Sequence, residues 1–130
     1  MKRYLLDTSI IIDYLRGRKQ VIQNIDDISG ELTSSVLCLA ELYEGVNRSE
    51  NKKAVEEAVI DFFSGLSSVF PVDESVARKF GELRAILKKE GNLIADIDIF
   101  IAATCVVHNL TLITQNTKDF SRIKELIISP

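Results

Sequence analysis

"RYLLDTSIIIDYLRG", residues 3–17, holds two elements and the acid between them. Arg3 to Leu6 reads as a short buried strand that stops at Asp7. "TSIIIDYLRG" then reads as a helix, with Thr8 or Ser9 available as its cap and Gly17 available to close it. A strand followed by a helix forms half of a parallel β-α-β unit, and strands alternate with helices along the chain.

A second helix is expected over Lys19 to Ile28. Gly30 precedes the strand "ELTSS", and Ser34 or Ser35 caps the next helix, "VLCLAELYEGV". Residues 51–63 form another helix, with Ala54, Val55, Ala58, Val59 and Phe62 at three- and four-residue spacing. "SSVFPV" is a strand, placed at or near an edge by Pro71. Asp73 caps a long helix over Glu74 to Glu90, ended by Gly91. A helix from Asp96 to Asn109 follows, then the strand "LTLIT", a stretch "QNTKDFSRI" that is mostly loop or a short turn, and a last short strand in "ELIIS". Strands that alternate with helices predict a largely parallel sheet. These strands are apolar on both sides, as strands covered by helices on both faces should be. The expected fold is a three-layer α/β/α sandwich of about five strands in one domain, residues 1–130.

The totals agree with this reading. With 130 residues, 46% hydrophobic and 27% charged, the chain has material for a packed core and does not resemble a disordered sequence. No apolar run approaches the ~20 residues of a membrane span. Asp7 and Asp13 interrupt the apolar N-terminal stretch, which makes it a poor secretory signal. The expectation is a soluble cytoplasmic protein with no membrane partner. Cys38 and Cys105 have no metal-ligand spacing and read as buried, reduced thiols. His108 is the single histidine, too few for zinc or a triad. The net charge of −3 gives no bulk attraction for nucleic acid, so any such contact needs a local basic patch or a metal between acid and phosphate.

Most of the acids, such as Glu56, Glu57, Asp61, Glu82 and Glu90, fall on polar helix faces. Four places do not fit that pattern. Asp7 ends the first strand, where open parallel sheets bind ligands. Glu41 lies in mid-helix beside an apolar stripe, with Gly45 one turn later. That glycine costs roughly 1 kcal/mol of helix stability against alanine and leaves open space beside the carboxylate. Asp96 and Asp98 stand directly against the apolar run Ile99 to Ala103, an expensive position unless something compensates them. A helix N-terminus compensates one. Asp96 is the better N-cap, and Asp98 then projects from the first turn. Thr114, Asn116 and Asp119 lie past a strand end on the same edge as Asp7. Carboxylates from separate segments that meet at one edge raise one another's pKa and repel. Without a histidine or cysteine cluster, the all-oxygen set suits Mg²⁺ or Mn²⁺.

"LLDTSIIIDYLRG", "LAELYEGV", "DIFIAA" and "LITQNTKDFSRI" occur in the order seen in PIN-domain ribonucleases, and the chain resembles most their VapC-type toxins from prokaryotic toxin–antitoxin pairs. The resemblance covers nearly the whole chain. It implies a sheet in the strand order 3-2-1-4-5. It matches Asp7 to the first acid, Glu41 to the second and Asp98 to the third, and leaves the fourth between Asn116 and Asp119. Thr8, Ser9 and Thr114 match polar, water-holding positions, and Asp96 and Asn116 take supporting places beside them. The implied activity is endoribonuclease cleavage with a water activated by one or two Mg²⁺ or Mn²⁺ ions, and the implied partners are RNA, a cognate antitoxin and a second copy of the chain in a homodimer.

Two rivals use fewer of these residues. A receiver-like phosphoacceptor would employ Thr114 and Lys118 but leaves Glu41 idle. A catalytically inactive RNA- or protein-binding module needs none of the acids. For RNA contact the available cations are Arg16, Arg18 and Lys19 after the first helix, and Arg48, Lys52 and Lys53 after the Glu41 helix. Tyr43, Val46, Phe62, Phe63 and Leu66 crowd the middle helices. They are expected to exceed one small core and so to mark an interface.

Overall fold

A computed structural model describes residues 2–130. In chain order its elements are β1 (Arg3–Leu6), α1 (Thr8–Leu15), α2 (Lys19–Asp26), β2 (Glu31–Ser35), α3 (Val36–Arg48), α4 (Lys52–Ser64), β3 (Ser68–Phe70), α5 (Glu74–Lys89), α6 (Asp96–His108), β4 (Thr111–Ile113), α7 (Thr117–Phe120) and β5 (Ile127–Ile128). All strand pairs are parallel, in the order β3-β2-β1-β4-β5. The central strand β1 carries Tyr4 opposite Leu32 of β2 on one side and Thr111 of β4 on the other.

Alternation along each strand splits the core in two. Leu6, Leu32, Val69 and Ile113 face one side and pack with α1 to α4 around Ile11, Leu42, Val46 and Val59. Leu5, Phe70, Leu112 and Ile128 face the other and pack with α5 to α7 around Val76, Leu87, Ile99, Ile101 and Phe120. Leu5 and Leu6 are both 0% exposed, so truncating either to alanine costs about 2–5 kcal/mol. β2 lies alongside the start of β1 because residue 30 has no side chain. A Cβ on Gly30 would stand 2.6 Å from the Lys2 carbonyl oxygen, a clash with backbone that cannot move aside.

Several local expectations are corrected. Within the segment 115–123, which is otherwise bend, turn and coil, a single-turn helix α7 occupies Thr117–Phe120 and is anchored by the buried Phe120. The cap of α1 is Asp7 itself, not Thr8 or Ser9. Its carboxylate accepts from the Thr8 N–H, and its carbonyl accepts from Ile10 and Ile11. Of the two candidate caps of α3, Ser35 takes the position as one of those expected, and the Ser34 hydroxyl donates to the Leu6 carbonyl of the neighbouring strand. Asp96 does not cap α6. Ala95 holds that position, and Asp96 is pulled outward by Arg84 at 2.9 Å. Val106 and Val107, near the end of α6, are half-buried. The surplus assigned to the middle helices is absent. Val46 and Phe63 are buried, and Tyr43, Phe62 and Leu66 pack against the same cluster. The exposed aliphatics are instead Val36, Ile60, Val72, Ile86, Leu93 and Ile127. Among the described residues no helix is long and apolar enough to cross a membrane.

Candidate active site

β1 and β4 are neighbours, and their carboxyl ends deliver Asp7 and Thr114 side by side. Asp7 is 7% exposed. Thr114 Oγ1 donates to its Oδ2 at 2.7 Å, and the Thr8 backbone N–H donates to its Oδ1 at 2.8 Å. Burial raises the Asp7 pKa, and these two hydrogen bonds oppose the rise. A nearly buried carboxylate is tolerated because donors meet both oxygens.

Thr8 also reaches the second acid. Its Oγ1 donates to Glu41 Oε1 at 2.6 Å. α3 starts directly after β2, so its sixth residue, Glu41, is carried across to the first turn of α1. The expected space beside it exists, since a Cβ on Gly45 would meet no atom within 4 Å. On the other flank the Asn116 N–H donates to Thr114 Oγ1 at 3.0 Å, and the Asn116 side chain donates to Asp119 Oδ2 at 3.3 Å. One chain of hydrogen bonds therefore runs Asp119–Asn116–Thr114–Asp7–Thr8–Glu41.

Asp98 stands opposite, in the first turn of α6. Its pKa is pushed up to about 6, first by burial and then by the negative charges of Asp7, Glu41 and Asp119. Four acids from four segments thus share one field at the carboxyl edge of the sheet, at the switch point between β1 and β4. Asn116 does not displace Asp119 from this group. It holds it.

Other residues fall outside. Asp96 is an exposed surface partner of Arg84 and is not brought to the cluster. Ser9 Oγ is buried one residue from Thr8 and has no hydrogen-bond partner in the protein. His108 stacks on Phe70 with ring centroids 4.3 Å apart, as a packing residue. Cys38 and Cys105 are buried free thiols whose pKa values burial raises, so they stay protonated. Of the six basic residues singled out after α1 and α3, Arg18 is held by Asp13 at 3.7 Å. Arg122 escaped the sequence reading. It lies 3.9 Å from Asp119 and donates to the Leu93 carbonyl, and its i+3 spacing from Asp119 was the available signal.

The donors gathered here are all oxygens, and their crowded negative charge calls for a hard counter-cation. Among the described residues no three His, Cys, Asp or Glu side chains close around one point as a finished cage. The donor set fits the usual manner of holding Mg²⁺, with one or two carboxylates and several waters.

A family model described as PIN domain matches residues 4–126. The chain is 35% identical over 123 residues to ribonuclease VapC1 of Methanocaldococcus jannaschii, covering 95% of this chain and 82% of that one. It is 32% identical over 124 residues to ribonuclease VapC2 of Haemophilus influenzae, covering 95% and 93%. Among solved structures it is similar to VapBC2 from Rickettsia felis bound to a promoter DNA fragment, with TM-score 0.90, 29% identity and coverage of 98% and 97%.

Proposed function

This chain belongs to the PIN-domain family, and from that membership we propose that it is a divalent-metal-dependent endoribonuclease, the toxin of a toxin–antitoxin pair. The observation that carries the proposal is the convergence of Asp7, Glu41, Asp98 and Asp119 on one field, which neither rival reading accounts for. Residues 1–130 act as one nuclease domain in the cytoplasm.

Asp7 and Asp98 would hold one or two Mg²⁺ or Mn²⁺ ions, with Glu41 and Asp119 assisting directly or through water. A cation held there would supply a more acidic water and positive charge beside the phosphate. The protein supplies the geometry. Thr8 and Thr114 fix both oxygens of Asp7, and Thr8 fixes Glu41. Asn116 steadies Asp119. Asp98 sheds its proton near neutrality and completes the anionic pocket. Ser9 Oγ stands ready to hold a water.

The test is cleavage of labelled single-stranded and structured RNA in Mg²⁺ or Mn²⁺, abolished by EDTA and by Asp7→Asn. Cleavage that persists in chelator overturns the metal mechanism. No cleavage with either ion overturns the nuclease reading.

The solved VapBC structure motivates the partner. We infer a cognate antitoxin that places a basic side chain among the four acids, and removal of its basic tail should weaken inhibition. A homodimer follows from the family resemblance alone. Light scattering on the isolated protein tests it, with a strict monomer at high concentration as the contrary result.

A further inference from the structure

Seven arginines occur in the chain, and five have a partner within it. Arg3 donates to the His108 carbonyl, Arg18 meets Asp13, Arg78 meets Glu74, Arg84 meets Asp96, and Arg122 lies between Leu93 and Asp119. Among the described residues the Arg16 and Arg48 side chains have none. Both are exposed, and both line the same groove of about 820 Å³ between α1, α3 and α4. Thr8 and Glu41 line it too, so one groove joins the edge of the carboxylate cluster to two arginines without partners. Its floor is apolar, with Ile12 and Val55, and at Gly45 it is open beside Glu41.

We propose that this groove carries the RNA strand next to the scissile bond, with Arg16 and Arg48 gripping backbone phosphates and Gly45 leaving room for the adjoining nucleotide. The inference rests on the nuclease reading above and names its substrate track. A strand approaching a site built of carboxylates, on a chain of net charge −3, is repelled unless fixed positive charge lies along its path. Arginine is suited to that task because its planar fork grips phosphate oxygens in pairs. A protein helix would need acidic side chains at two matching places to use these cations, whereas a nucleic acid presents a phosphate at every step. Glu44 also borders the groove and works against the strand, so it gives a control of opposite sign.

The experiment measures fluorescence anisotropy of a fluorescein-labelled, mixed-sequence single-stranded RNA in EDTA, over a salt series, beside cleavage assays in Mg²⁺. Losing two phosphate contacts flattens the log–log salt slope by about 1.4 and weakens binding roughly 25-fold at 0.1 M salt. That is the expected result for Arg16→Ala with Arg48→Ala. Lys88→Ala with Lys89→Ala, an equal charge change on α5, should stay within about twofold of wild type by the same reasoning. Glu44→Gln should tighten binding, and Gly45→Leu should weaken it with the fold retained by circular dichroism. Equal losses in the arginine and lysine pairs mean attraction by bulk charge and overturn the proposal. So does unchanged RNA binding in the arginine pair accompanied by lost antitoxin binding, which would make the groove a protein seat. Wild-type protein that cleaves RNA while the arginine pair binds and cleaves equally well defeats the groove assignment alone. Wild-type protein that neither binds nor cleaves RNA defeats the nuclease reading beneath it.

Discussion

Thr8 ties two acids together: its hydroxyl donates to Glu41 at 2.6 Å while its backbone N–H donates to Asp7 at 2.8 Å. The backbone bond survives Thr8→Val, but the hydroxyl bond does not. Thr8→Val keeps the shape and should cut kcat about 10- to 100-fold, the usual cost of losing a group that orients a metal ligand. Thr8→Ser should restore most of the rate. If Thr8→Val turns over RNA like wild type, the link to Glu41 plays no part in the reaction.

Thr114 presents a different case, because its partner Asp7 is buried and cannot turn to water. Thr114→Val leaves one carboxylate oxygen without its donor and should lower stability by about 1.5–3 kcal/mol in urea unfolding. The lost bond was holding the Asp7 pKa down. The acid limb of the pH–rate profile should therefore move to higher pH. An unmoved limb alongside lost stability would assign Thr114 to packing alone.

Asp98 makes the metal-free protein sensitive to pH. Its folded-state pKa of about 6 lies above the ordinary 3.8, so the folded state holds the proton more tightly than the unfolded chain. The stability from this group is complete below 3.8 and lost as pH rises through about 6. In EDTA, Tm should fall as pH goes from 4 to 7. Asp98→Asn should flatten that part of the curve and raise Tm at pH 7.5 by roughly 2–4 °C, after discounting for solvent around a half-buried group. Mg²⁺ should stabilise wild type more at pH 7.5 than at pH 5, since it needs the ionised carboxylate. A greater stabilisation at pH 5 would contradict this account of Asp98.

Asp96 and Asp98 stand two residues apart and should behave oppositely in activity assays. Asp98→Asn should lower kcat at least about 1000-fold, some 4 kcal/mol of transition-state stabilisation. Asp96→Asn breaks only an exposed pair with Arg84, worth about 0–1 kcal/mol, and should leave RNA cleavage within about twofold of wild type. Comparable losses in both variants would mean that the start of α6 acts as a whole.

The periodicity of apolar residues marked the longer helices and the strands on its own, because an amphipathic helix and a buried strand need different spacings. It also marked Asp7, Glu41 and Asp98, each an acid where the local pattern calls for an apolar or capping residue. Local pattern could not decide which competing partner a side chain takes. Asp7 became the cap of α1 because the Thr8 hydroxyl was drawn to Glu41, 33 residues further along the chain. Asp96 lost the α6 cap to a long-range ion pair with Arg84. α7 is too short to show a period and depends on the burial of Phe120. Arg16 and Arg48 look no different in sequence from Arg18, and only the packing of α1, α3 and α4 places them on one groove without carboxylate partners. Spacing along the chain specifies which face of an element is apolar. Which polar groups meet across elements depends on the sheet order, and a hydrogen bond or ion pair forms only where that order brings donor and acceptor within about 3 Å.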